Sequence, residues 1–189
     1  MTRRIVTAIL LLALLVTVGC KPTVKPDETV KNFLDAMVNS DFETALKFTG
    51  GVNPQYELDR ILTSAQTLYG SAQSAIEHSV LGHVTHEVGS VEIQGDKAVV
   101  NVKITAPDCK TVFQNALQSI LLMHSVNPSV NTTTYFQQIF NEGVSASDAP
   151  MITSNVVITL DKKNGLWVIA LRGDDELLNA LTGNMANPM

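Results

Sequence analysis

Cysteine, aromatic rings and positive charge are all scarce in this chain. Two cysteines, at positions 20 and 109, one tryptophan and 5% aromatic residues in 189 positions exclude a disulfide-dense framework, so stability must come from a packed core. Thirteen Lys and Arg stand against eighteen Asp and Glu, a net charge of −5, and no Lys/Arg run is longer than the pair Lys162-Lys163. An acidic chain without a basic patch has no electrostatic footprint for nucleic acid. GxxxxGK[ST], CxxC and EF-hand patterns are all missing. The nearest approach to a nucleophile elbow, Gly143-Val144-Ser145-Ala146-Ser147, lacks its closing glycine and the strand before it. No motif calls for a cofactor or a metal. There is no internal repeat and no low-complexity block.

A membrane-spanning run is also missing. From Ile5 to Val18 fourteen residues carry no charge, whereas a spanning helix needs roughly 20. Preceded by Thr2-Arg3-Arg4, this run has the cationic n-region and apolar h-region of an export signal. Its end, Val18-Gly19-Cys20, resembles the lipobox of bacterial lipoproteins, with Thr17 where that family usually has Leu. The resemblance implies that residues 1–19 are removed and that Cys20 is diacylated as the mature N-terminus, palmitate-type chains holding the protein at the extracytoplasmic face of the cell membrane. Two acyl chains anchor stably where one does not. An ordinary signal peptide cut nearby and a short uncleaved anchor are the alternatives. Loss of Arg3 and Arg4 takes the net charge from −5 to −7, and once Cys20 is acylated Cys109 has no disulfide partner. Cys109, in Pro107-Asp108-Cys109-Lys110 at a strand-to-helix junction, reads as a small packed residue, with a reactive thiol near a helix start as the other possibility.

Lys21 to Pro26 form a short, proline-stiffened tether, residues 20–26 with the lipidated cysteine. Asp27 is the expected cap of a helix in which Val30, Phe33, Leu34, Met37 and Val38 share one face. Ser40-Asp41-Phe42-Glu43 has capping-box spacing for a second helix that Gly50-Gly51 ends. Asn53-Pro54 opens a third, whose apolar period runs from Leu58 to Ala72 with a break near Gly70. Val84–Ile93 and Ala98–Ile104 then read as a hairpin around Gly95-Asp96-Lys97, and alternation of Val100, Val102 and Ile104 with Asn101, Lys103 and Thr105 buries one face. Helical spacing returns at Val112 to Leu121 and Thr134 to Phe140, a helical insertion over residues 108–143. Thr153–Leu160 and Leu166–Leu171 read as a second hairpin around Asp161 to Gly165. Because 166–171 is apolar on both faces, it is expected to be a central strand. Asp174 or Asp175 caps a short last helix that Gly183 stops, and residues 184–189 form a tail.

These elements describe one α+β domain over residues 27–183: a curved antiparallel sheet packed by N-terminal helices, with a helical insertion and a short C-terminal helix. Glu28 to Phe48, "ETVKNFLDAMVNSDFETALKF", resembles the opening helix pair of NTF2-like (SnoaL-like, DUF4878-like) domains of secreted bacterial lipoproteins, and Asn164 to Gly183, "NGLWVIALRGDDELLNALTG", resembles their final strand and helix. The resemblance implies an NTF2-like cone. Enzymes of that family place an Asp, His or Tyr inside it as acid or base.

Candidate cone or cleft residues are His86, Tyr56, Tyr69, Tyr135 and Trp167, with Asp59 read as a solvated face residue beside Leu58. His78, His83, His86 and Glu87 cluster in sequence, and His124 stands apart. A strand through 83–87 would send His83 and His86 to opposite faces, against a shared metal. Two functions remain open. One is a non-catalytic module that binds a small apolar ligand, a peptide or an envelope protein. The other is an isomerase, dehydratase or hydrolase using a cone acid/base residue. Self-association at the membrane is a third possibility, with Ile120-Leu121-Leu122-Met123 the first place to look for an exposed apolar patch.

Overall fold

The computed structural model describes residues 24–69 and 79–185, with the backbone alone from 63 to 69. The export signal, Cys20 and His78 lie outside the described residues.

Helix α1, Pro26–Val38, begins two residues earlier than the Asp27 cap predicts. Pro26 supplies the first helical residue, Lys25 before it is extended (φ −74°, ψ 159°), and no side chain caps the end. Asp27 and Glu28 sit in the first turn instead, where the helix dipole favours a carboxylate. Val30, Phe33, Leu34 and Met37 are fully buried. The chain reverses at Ser40, whose φ is 55°, and Asp41, not Ser40, caps α2, Phe42–Leu46, by accepting from the Thr44 N–H at 3.0 Å. A residue in the left-handed region cannot also serve as the extended N-cap, which moves the cap by one position. Helix α3, Pro54–Tyr69, opens as the sequence predicts, with Asn53 Oδ1 accepting from the N–H of Gln55 and Tyr56.

Strands β1, Thr85–Gln94, β2, Lys97–Pro107, β3, Met151–Lys163, and β4, Leu166–Ile169, form one antiparallel sheet in the order β1-β2-β3-β4. Register follows the apolar alternation. Val100 lies opposite Ile158 and Val102 opposite Val156, and all four are buried, while Asn101 and Lys103 point to solvent. In β1 the pairing slips between Val88 and Val91, so that Val88 faces Val102 and Val91 faces Val100. The extra residue is a bulge at Gly89-Ser90, where a Cβ on Gly89 would stand 3.1 Å from the Asn101 carbonyl oxygen. It keeps both valines on the inner face.

Both hairpin turns are tighter than expected. Gln94 pairs with Lys97 across Gly95-Asp96. Asn164 (φ 51°) and Gly165 (φ 81°) make a two-residue turn that lets β3 run on to Lys163.

Residues 166–171 do not form a central strand. β4 is short and lies at the sheet edge. The chain after α2 meets its outer edge and Val168 only: Ile169 donates to the Phe48 carbonyl at 2.8 Å, and a Cβ on Gly50 would come within 2.8 Å of Val168 Cγ1, while Leu166 and Ala170 on the second face are exposed. An edge met by a loop in this way escapes edge-to-edge pairing.

Between β2 and β3, which pair up to Pro107 and Met151, the chain leaves the sheet to form α4, Cys109–Val126, and α5, Thr132–Ser145. Asp108 caps α4 through Thr111, and Asn131 caps α5 through Thr134. The insertion is therefore a helical hairpin, a little longer at its C-terminal end than 108–143. Helix α6, Asp175–Leu181, is capped by Asp174 and closed at Gly183 (φ 58°). One face of the sheet is covered: α1 packs on β1, β2 and β4, and α6 on β2 and β3. The core fills the space between.

Candidate functional site

His86 reaches the inner side of the sheet because β1 places it opposite the fully buried Ile104. Its side chain is 10% exposed, and Nε2 lies 3.0 Å from Asp35 Oδ1 on α1. The other Asp35 oxygen accepts from Lys31 Nζ at 2.5 Å. The Lys31 hydrogen bond and charge, with smaller help from His86, hold the Asp35 carboxyl below its ordinary value against the opposing effect of burial. With Asp35 ionised, Nε2 is the donor in this hydrogen bond, which orients the imidazole. Such a pair can orient a proton acceptor. A sequence reading cannot find it, because its partners stand 51 residues apart.

Among the candidates whose side chains are described, none joins it. Tyr56 is 65% exposed on the first turn of α3, and Asp59 is half-buried rather than solvated. Tyr69 closes α3 with its backbone. Tyr135 is half-buried on the first turn of α5. Trp167 is buried on β4, with Lys162 Nζ 5.5 Å from its ring centroid. β1 and β4 are opposite edges of the sheet, and the register sets His86 level with Ser154 but Trp167 level with Lys162, eight residues along β3, so the two are separated by about 14 Å across the sheet and about 26 Å along it. His83 lies exposed before β1 and His124 exposed on α4. Among the described residues no three His, Cys, Asp or Glu side chains gather as they would round a metal ion. Cys109 is fully buried at the head of α4, and burial, with the Asp108 charge adding to it, pushes its thiol up to about 12. It is a packed residue, not a nucleophile at neutral pH.

A second feature lies in the hairpin. Cys109, Val112, Phe113 and Ala116 of α4 are buried, as are Phe136, Phe140 and Val144 of α5. Phe113 and Phe136 meet edge to face at 5.4 Å. The helices cross so closely that a Cβ on Gly143 would come within 2.8 Å of Val112 Cγ1. Past Ala116 the apolar side chains turn outward: Leu117, Leu121, Leu122 and Val126 are 42%, 72%, 64% and 84% exposed. Of Ile120-Leu121-Leu122-Met123, the middle two face out and the outer two are half-buried. From Thr111 to Asn141 there is no Asp, Glu, Lys or Arg, the longest uncharged stretch in the chain. That run is the signal in the sequence that marks this surface.

No known family model matches the chain, and no curated protein matches it. Its fold is similar to that of a solved structure from Bacillus subtilis subsp. subtilis str. 168, described as "a putative lipoprotein (ycdA)", with a TM-score of 0.60 and 16% sequence identity. The match covers 82% of this chain and 55% of that one, so this chain spans about half the length of that protein. The likeness is one of fold: an α+β domain with a four-stranded antiparallel sheet.

Proposed function

We propose that this chain is a lipid-anchored protein of the extracytoplasmic membrane face, carrying a non-catalytic, NTF2-like module that binds an envelope protein through the α4–α5 hairpin. The observation that carries this reading is the contrast between the two surfaces. The inner face of the sheet is occupied by fully buried side chains such as Phe33, Val100, Ile158 and Leu160, so a small apolar ligand there has to displace packed groups. The hairpin instead holds Leu121, Leu122 and Val126 in solvent on an uncharged stretch. Exposed apolar side chains grouped in this way mark contact surfaces.

The anchor rests on the uncharged run Ile5–Val18 and on Val18-Gly19-Cys20, and the fold's likeness to a protein described as a lipoprotein supports it. In this account residues 1–19 are removed, residues 20–26 tether, and residues 27–183 form the module. A photo-crosslinking residue at Leu121 of the full, membrane-held chain tests the binding surface, with the same residue at Asn155 on the open face of the sheet as reference. Defined protein adducts from position 121 and none from 155 are expected. Equal adducts from both, or none from 121, contradict the reading.

The Asp35–His86 pair favours a second reading, an isomerase, dehydratase or hydrolase with His86 as base. A pH-dependent turnover abolished by both His86→Gln and Asp35→Asn would replace the first reading with this one.

A further inference from the structure

We infer that the occupant of the outward hairpin face is a second copy of this chain, an inference that rests on the hairpin being the binding surface. Charge is the first argument. The molecule is acidic, −5 over the whole sequence, so most ways of bringing two copies face to face set carboxylates against carboxylates. In a two-fold contact residue i meets residue j and j meets i, and residues near the axis meet their own copies. A surface without formal charge is the one on which that rule costs no like-charge repulsion, and Thr111 to Asn141 supplies it. A different partner would have to be equally uncharged over the same area, or leave its charges unpaired on Leu121 and Leu122. A second copy meets that requirement automatically.

The side chains fit the role. Leu117 with Leu121, and Leu122 with Val126, are pairs four residues apart, so α4 carries two apolar ridges along the stretch that has left the core. Gln118 and Ser125 lie between them, small or uncharged groups that a facing helix can cover while hydrogen-bonding to them. Two hairpins packed this way give a four-helix arrangement. The bilayer is a poorer occupant. Segments that lie in the interface use Trp, Lys or Arg to meet headgroups, and this face has none of them.

Size sets the conditions. The free stretch of α4 is about 15 Å long at 1.5 Å per residue, and two helices are about 20 Å wide. That footprint falls below the area of a stable soluble dimer. Pairing therefore needs the concentration that confinement to a membrane gives, and the test belongs on the anchored chain.

The full chain, held in cell membranes, receives a single cysteine by Leu122→Cys or Val126→Cys, with Asn155→Cys as reference. Native Cys109 is buried and stays silent. A short bis-maleimide is expected to give a band of twice the chain mass from positions 122 and 126, at least fivefold above position 155, and Leu121→Glu is expected to remove it from Val126→Cys without changing the circular dichroism. An adduct with a different protein would overturn the inference while leaving the binding surface in place. A hairpin cysteine that neither crosslinks nor reacts with an impermeant maleimide would point to the bilayer and overturn it. One that labels freely and does not crosslink would overturn the inference and the binding surface together.

Discussion

Gly183 is where a single methyl group should do the most damage. It closes α6 at φ 58°, its carbonyl accepts from the Cys109 N–H at 3.1 Å, and a Cβ there would stand 1.9 Å from the Pro107 carbonyl oxygen and 3.1 Å from Cys109 Sγ. Gly183→Ala incurs two costs. A left-handed conformation costs a residue with a Cβ about 1 kcal/mol or slightly more. The contact at 1.9 Å is with backbone, so no rotamer change relieves it. The C-terminal segment has to move by more than an ångström away from the start of α4, giving up the Cys109–Gly183 hydrogen bond, about 1 kcal/mol, and loosening the packing of Leu181 and Met185, about 1 to 2 kcal/mol more. The expected loss is about 3 to 4 kcal/mol. Gly165→Ala is the matched reference. It has positive φ as well, 81°, but nothing lies within 4 Å of its would-be Cβ, so only the conformational cost of about 1 kcal/mol applies. At about 2 to 4 °C per kcal/mol for a chain of this size, thermal melts of residues 21–189 followed by circular dichroism should fall by about 6 to 16 °C and about 2 to 4 °C respectively. Equal losses for the two variants would refute the reasoning, since they would show that the close approach to Pro107 has no energetic weight.

Three further outcomes are expected. Asp35→Asn should lower stability at neutral pH by less than about 1 kcal/mol, because the pair with Lys31 is largely in water. The lowered Asp35 carboxyl stabilises the fold above its ordinary value, and that contribution is lost as pH falls through the folded-state value. Urea midpoints should therefore differ between wild type and variant at pH 7 and converge in strong acid, and a constant gap would contradict the pairing. In a Cys20→Ala chain, Cys109 at about 12 should react with a disulfide reagent at pH 8 at least a thousandfold more slowly than after unfolding in urea, and a fast native reaction would place the thiol outside the core. Leu160→Ala, at a fully buried site opposite Ile169, should cost about 3 kcal/mol in urea unfolding, and a loss under about 1 kcal/mol would mean that the inner face is loosely packed.

Regular spacing was the legible part of the fold. The period of Val30, Phe33, Leu34 and Met37 and the alternation along β2 each reflect burial on one face, and both match the structure. Caps were legible only to within one or two residues, because Lys25-Pro26-Asp27 and Ser40-Asp41 offer neighbouring groups whose choice depends on backbone angles. The position of β4 was not legible at all. Leu166, Val168 and Ala170 look like a second buried face, yet Leu166 and Ala170 are exposed, and it is the strand order that places β4 at the edge. The His86–Asp35 pair depends on a helix meeting a strand 51 residues away, and tertiary contacts of that kind leave no local pattern. The hairpin surface did leave one, in the missing charges between Thr111 and Asn141.

The account depends most on Cys20 holding this domain at a membrane, and the mass of the N-terminal peptide tests that directly. The full chain, expressed in a bacterium and extracted from its membranes, should yield after proteolysis a peptide that begins at Cys20 and carries the added mass of a diacylglyceryl group, and Cys20→Ala should abolish it. A peptide that begins elsewhere, or an unmodified Cys20, would contradict the anchored module and with it the membrane confinement that the hairpin contact requires.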